Sequence, residues 1–120
     1  MYNIVKVGES EIPMLSMASV DVYYRNIFHE DPLKLQTDEN MDAGAMIGFI
    51  QRMGFVMAKF AALKDRKEML KLNEDSFYEW MDTMERNDLI NALPDIQATY
   101  EGQSIPISEA KKNNAEPNAE

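Results

Sequence analysis

Cysteine is absent from this chain, which removes disulfides and thiolate metal sites from consideration. Histidine occurs once, as His29, so no Glu-x-x-His pair of the di-iron kind can be assembled. No Gly-rich phosphate loop with its lysine is present, and no G-x-S-x-G elbow or Ser/His/Asp set can be put together. Basic residues are the scarce sign, 12 against 21 acidic for a net charge of −9; such a chain repels phosphate backbones, and no nucleic-acid partner is expected. The longest unbroken apolar run, "AGAMIGFI" at 43–50, falls well below the ~20 residues of a membrane span. The opening "MYNIVKVGESE" is neither basic nor followed by a long apolar stretch, so it does not read as a secretory signal.

What the chain does have is enough apolar material for a core. Its 120 residues are 45% hydrophobic, which suits one domain that needs no staples. The expected fold class is mainly α: a small helical domain over 1–102, with a long central helix and a short N-terminal β-hairpin, then a disordered tail over 103–120.

The hairpin is read from "YNIVKV" at 2–7, a turn at "GES", and "EIPML" at 11–15. Pro13 cannot donate to a ladder, so these are edge strands. Two strands alone are marginal in water and must lie on something larger. From Ser19 the period changes. Val20, Tyr23, Tyr24, Ile27 and Phe28 recur at three and four, which predicts a helix over 19–28 with Ser19 as N-cap. Pro32 disfavours the α region at Asp31 and ends that helix near Phe28–Glu30. An apolar return follows, with Leu33 and Leu35 expected to pack inward beside Phe28, and then a polar loop at 36–40. Arg25 and Asp31 are placed to pair across the turn.

Residues 41–64 carry the longest helical stripe, from Met46 and Phe49 through Met53 and Val56 to Phe60 and Leu63. Gly44, Gly48 and Gly54 lie within it. Each lowers helix propensity by about 1 kcal/mol relative to alanine, so a second element is expected against the glycine side. Gly44 and Gly48 are spaced for close helix packing. After a basic connector at 64–73, a Ser76/Glu79 capping box predicts a helix over 76–86, with Phe77, Trp80, Met81 and Met84 on one face. "RNDLIN" at 86–91 reads as a turn. Pro94 opens a short last helix that turns Ile96 and Tyr100 inward and stops at Gly102.

Three features invite a chemical reading. His29 between Phe28 and Glu30 has the form of a general base beside a carboxylate, but a lone histidine at a helix end is the commoner structural feature, and that reading is adopted. Asp75, Glu79, Asp82, Glu85 and Asp88 are spaced to share one helix face. Without histidine such a stripe is a solvated face, and no metal and no cofactor are assigned. The ten methionines lie mostly at apolar helical positions. Met46, Met53 and Met81 are read as core, whereas Met14 and Met17 are left open between core and an adaptable binding surface. Charge is also segregated. Residues 59–71 hold five basic and two acidic side chains, and residues 74–101 hold eight acidic and one basic. Opposite signs in neighbouring elements favour self-association or a complementary partner, and homo-oligomerisation is one expectation.

The order of elements, with Tyr24-Arg25-x-x-Phe28-x-x-Asp31-x-Leu33, the long Ala/Gly/Met helix, "SFYEWMD" containing Phe77 and Trp80, and "ATYEGQ", resembles the tail assembly chaperones of long-tailed phages and prophages of Gram-positive bacteria. The resemblance covers about residues 1–102. It departs at His29, where related patterns carry glycine after the phenylalanine. The resemblance implies a helical protein without enzymatic activity. Such a protein would coat the tape measure protein, keep it soluble and help recruit the tail tube protein. It would act in the cytoplasm of the bacterial host and be missing from the finished virion. It also implies a longer form made by ribosomal frameshifting, for which "AKKN" at 110–113 is the expected slip site. The competing expectation is a small acidic phage regulator that binds another protein.

Overall fold

The computed structural model describes residues 1–105, which form a mainly helical fold carrying one N-terminal hairpin. Strands β1 (Tyr2–Val7) and β2 (Ser10–Leu15) pair antiparallel, with Val5 opposite Ile12 and Val7 opposite Ser10. Gly8 turns the chain at φ 62°. A side chain there would also collide with Asp88, whose Oδ2 lies 2.5 Å from where a Cβ would stand. Alternation along β1 buries Asn3, Val5 and Val7 and exposes Tyr2 and Lys6. Pro13 stands opposite Ile4, tolerated because each strand of a two-stranded sheet is an edge. Met14 is fully buried, which resolves its role as core.

Helix α1 (Val20–Phe28) follows, with Val20, Tyr23, Tyr24, Ile27 and Phe28 buried. Ser19 does stand at its N-cap, but its backbone is already helical and its side chain makes no capping bond. His29 closes the helix in the left-handed region at φ 59°, its N–H bonded to the Arg25 carbonyl. Asp31 is extended, as a residue before proline must be, and its carboxylate accepts from the Leu33 N–H to cap a five-residue helix α2 (Pro32–Gln36). The apolar return expected here is thus a turn of helix. A single helical turn offers one inward face, and Leu35 takes it in part. Leu33, expected inside, is 66% exposed.

Helix α3 (Ala43–Leu63) starts where Asp42 accepts from the Ala45 N–H at 2.7 Å. Every residue from Met53 to Ala58 is buried, because β2, α1 and α6 all pack on this segment's helix. By length and composition α3 is apolar enough to cross a membrane, which the short run at 43–50 did not suggest; half of its most apolar window is buried by the fold. Phe60 is only partly buried, and Leu63 is exposed. Close approach occurs at Gly54, where an added Cβ would stand 3.1 Å from Cγ2 of Ile96. Gly44 and Gly48 do not mediate helix packing as expected: a Cβ would meet only the Asp42 carboxylate at Gly44 and the Arg52 side chain at Gly48.

The basic connector contains a one-turn helix α4 (Arg66–Met69) capped by Asp65, and Met69 is fully buried. Helix α5 (Glu74–Met81) is capped by a reciprocal Asn73–Ser76 box, one turn earlier than the Ser76–Glu79 box expected. "RNDLIN" is not a break. It begins helix α6 (Arg86–Tyr100), in which Pro94 is interior rather than first-turn. Pro94 has no N–H for the carbonyl four residues back, a loss best tolerated where, as here, the residue faces solvent. Leu89, Ala92, Leu93 and Ile96 form the buried face. The helix ends as expected at Gly102 (φ 81°), with Gln103 N–H on the Ala98 carbonyl and Gly102 N–H on the Thr99 carbonyl, a Schellman stop. Asn3 fastens this end to β1: its Nδ2 donates to Thr99 Oγ1 at 2.9 Å and to the Gln103 carbonyl at 2.8 Å. Ile105 packs partly against the core. The remainder of the expected tail, residues 106–120 with the 110–113 slip site, lies outside the described residues.

Candidate partner-binding groove

Most of the motif residues converge on one corner of the core. Phe28 and Phe77 meet edge to face at 5.3 Å, and Phe55 stands between Phe28 (6.3 Å), Phe77 (5.6 Å) and Trp80 (5.7 Å). Tyr24 packs on Phe28 and Phe49. Its hydroxyl donates to Glu30 Oε1 at 3.0 Å and accepts from Arg52 Nε at 2.8 Å. Arg52 also reaches Glu30 at 3.2 Å and lies 5.8 Å from the Phe28 ring centre. Burial is the main reason the Tyr24 phenol is pushed up to about 12; Arg52 pulls the other way. Arg25 and Asp31 do pair, but at 3.9 Å with both side chains about half exposed, worth ~0–1 kcal/mol. His29 is exposed. These residues build a corner between α1, α3 and α5. Arg52 was overlooked in sequence, although it is the one charge amid the apolar 43–58 stretch.

Leu33 is the motif residue left out of this corner, and it leads to a different surface. With Met17, which is 53% exposed, it lines a wide cleft of about 460 Å³ whose other walls include Val20, Asp21, Gln36, Tyr100 and Glu101. A deeper cleft of about 210 Å³ adjoins it, floored by Met46, Phe49, Ile50, Met53 and Ile96. The two share Gln36, Tyr100 and Glu101. Tyr100 is the partition. Its hydroxyl donates to Asp21 Oδ1 at 2.8 Å and accepts from Gln36 Nε2 at 3.0 Å, and its ring stands edge-on to Phe49 at 5.8 Å. Burial first, and then Asp21, push the Tyr100 phenol well above the ordinary range. The phenol therefore keeps its proton, and its bond to Asp21, into alkali where a free tyrosine ionises.

The deeper lobe is smaller than the roughly 300–1,000 Å³ of small-molecule sites. It suits one or two apolar side chains presented by another chain. Methionine on its floor can re-pack around side chains of different shape. Met46 and Met53 thus belong both to the core reading and to the groove, and Met17 belongs to the groove alone. The acidic series does not form one face: Asp75 and Glu79 lie on α5, Asp82 follows it, Glu85 stands at the N-cap position of α6 without a capping bond, and Asp88 lies within α6. Among the described residues no three His, Asp or Glu side chains gather to hold a metal ion.

No protein-family model, no curated protein and no solved structure matches the chain.

Proposed function

We propose that this protein is a tail assembly chaperone of a long-tailed phage or prophage, acting without catalysis by binding the tape measure protein and keeping it soluble. The observation that carries the reading is the two-lobed apolar groove with Met17 and Leu33 exposed at its mouth. The resemblance in residues 1–102 adds to it. A tape measure protein is a long helical chain with apolar stripes, and helix-in-groove docking covers such a stripe one segment at a time. Many weak, linked contacts coat tightly yet release when the tube closes. The net charge of −9 keeps a coated filament from clumping. On this reading the protein works in the bacterial cytoplasm and leaves before the virion is finished. A longer frameshifted form carries the link to the tail tube protein.

Co-expression with the tape measure protein encoded nearby tests the reading. The expected result is a soluble complex and a clear rise in soluble tape measure protein. Equal solubility without this chain, with no complex recovered, overturns it.

A further inference from the structure

The groove is one-sided in charge as well as apolar. Asp21 and Glu101 line it, and among the described residues no lysine, arginine or histidine lines either lobe. Among the described residues neither carboxylate has an ion-pair partner. Asp21 accepts from the Tyr100 hydroxyl and Glu101 from Gln97 Nε2, both neutral donors. The cations that flank the lining lie outside it: Arg25, one turn along α1 from Asp21, pairs with Asp31, Lys34 stands beside Leu33 on α2, and the Met1 ammonium donates to the Ser16 carbonyl. The basic residues of 59–71 belong to the far end of α3 and to α4. Among the described residues no strand residue lines either lobe, so an extended segment would find no ladder to join. A helix satisfies its own backbone groups and can lie on an apolar floor without leaving them unpaired.

We infer that the occupant of this groove is an amphipathic helix with lysine or arginine flanking its apolar stripe. This inference deepens and rests on the chaperone reading. Large apolar side chains enter the deep lobe over Met46, Ile50 and Met53. A neighbouring turn of the same helix covers Met17 and Leu33 on the other side of Tyr100. Basic side chains reach Asp21 and Glu101 from the flanks. The floor supplies affinity and tolerates varied sequence; the two carboxylates select sign and orientation. Recognition therefore reads a charge pattern rather than a unique sequence, as a protein that must bind repeatedly along one partner requires.

The test uses two fluorescent helical peptides of about 18 residues, long enough for five turns. They share a Leu/Met face and differ only in lysine or glutamate flanks. Binding to the full chain is read by anisotropy. The lysine peptide should bind at least about tenfold tighter at about 50 mM salt, with the gap shrinking at about 300 mM as screening shortens the reach of the carboxylates. Asp21→Asn with Glu101→Gln should remove most of the gap; the amide oxygens still accept from Tyr100 and Gln97, so the fold is kept with a small fall in melting temperature. Met17→Ser with Leu33→Ser, both exposed and harmless to folding, should weaken the lysine peptide about tenfold or more. Equal binding of the two peptides, or a gap that survives neutralising both carboxylates, overturns the inference. So does binding indifferent to Met17 and Leu33. Sedimentation that shows a dimer lost in the Met17/Leu33 variant also overturns it, because a second copy then fills the groove. A soluble complex with tape measure protein that ignores all four substitutions sinks this inference and leaves the chaperone reading standing. Charge-selective peptide binding with no tape measure complex does the reverse.

Discussion

The two halves of α3 have similar composition and opposite fates. From Met53 to Ala58 every residue is buried, whereas Ala43, Gly44, Ala45 and Ile47 are exposed. Small and apolar residues fill both halves, so the difference does not come from the helix itself. It comes from what lies alongside. The second half lies under the hairpin and against the buried face of α6, as the Gly54–Ile96 contact shows. The first half passes Tyr100 and then borders the groove through Met46. Helical propensity and hydrophobicity set where a helix forms, but coverage decides which part of it is core and which part is free to receive a partner.

The sharpest way to break this contrast is to truncate one side chain in each half. Phe55→Ala should lower stability by about 3–5 kcal/mol, because it empties a site between Phe28, Phe77 and Trp80. Ile47→Ala should change it by less than about 0.5 kcal/mol. Chemical denaturation of the two variants measures both, and comparable losses would show that the first half is covered after all.

Arg52 stands at the boundary, and its partner Tyr24 gives a pH test of that boundary. The Tyr24 phenol is held near 12 against 10.0 for a free tyrosine. Below pH 10 both native and unfolded chains keep the proton, and stability is intact. Between about 10 and 12 the unfolded chain releases it and the native chain does not, so stability should fall with rising pH. Denaturation midpoints across that window should slope downward, and Tyr24→Phe should flatten its part of the slope. Tyr100 shifts in the same direction and leaves a residual slope in that variant.

Smaller effects distinguish the glycines. Gly54→Ala should destabilise by about 1–3 kcal/mol, since the methyl group meets Ile96 and overpacks the core. Gly44→Ala should stabilise by up to about 1 kcal/mol through helix propensity alone. Opposite signs in thermal melts support the contrast between the halves; equal signs break it. A change of similar size is expected at the C-terminal end of α1. His29→Gly should stabilise by about 1 kcal/mol, because the left-handed backbone at φ 59° strains any residue with a Cβ. A loss there would mean that the imidazole holds something the fold needs.

Much of this architecture was legible before the structure. The hairpin followed from two β-prone runs around the "GES" turn, the end of α1 from Pro32, and α3 from its stripe. The failures have separate physical causes. Leu89, Ala92, Leu93 and Ile96 carry a helical period across Pro94, but a proline is most at home in a first turn, and the boundary was drawn at it. The Asn73–Ser76 box uses a short serine where a glutamate is the familiar partner, so the neighbouring Ser76–Glu79 pair drew attention instead. Leu33 was expected inside because apolar residues after a turn usually are, and a single helical turn has room for only one inward leucine. The groove had no local signature. Asp21, Gln36 and Tyr100 come from three elements separated by as many as 79 residues, and only the fold brings them to one hydroxyl. The aromatic corner, by contrast, grew from residues already grouped by the motif.

Asn3 imposes an order on folding. Its amide bonds to Thr99 and Gln103 span 96 and 100 residues of chain. The hairpin turn and the helices close locally and fast, but the hairpin cannot dock on α6 until nearly all the described residues exist. During synthesis the hairpin precedes α6; β2 can settle on α3 once that helix is made, and the contact of β1 with α6 comes later. Until then Val5 and Val7 lack the cover of α6, beside two open strand edges. The final event is thus a ring closure that joins the two ends of the fold. Its rate is set by how often those ends meet, not by how quickly the helices form. A chain delayed at that step offers uncovered valines beside its strand edges, an apolar surface on which other chains can aggregate.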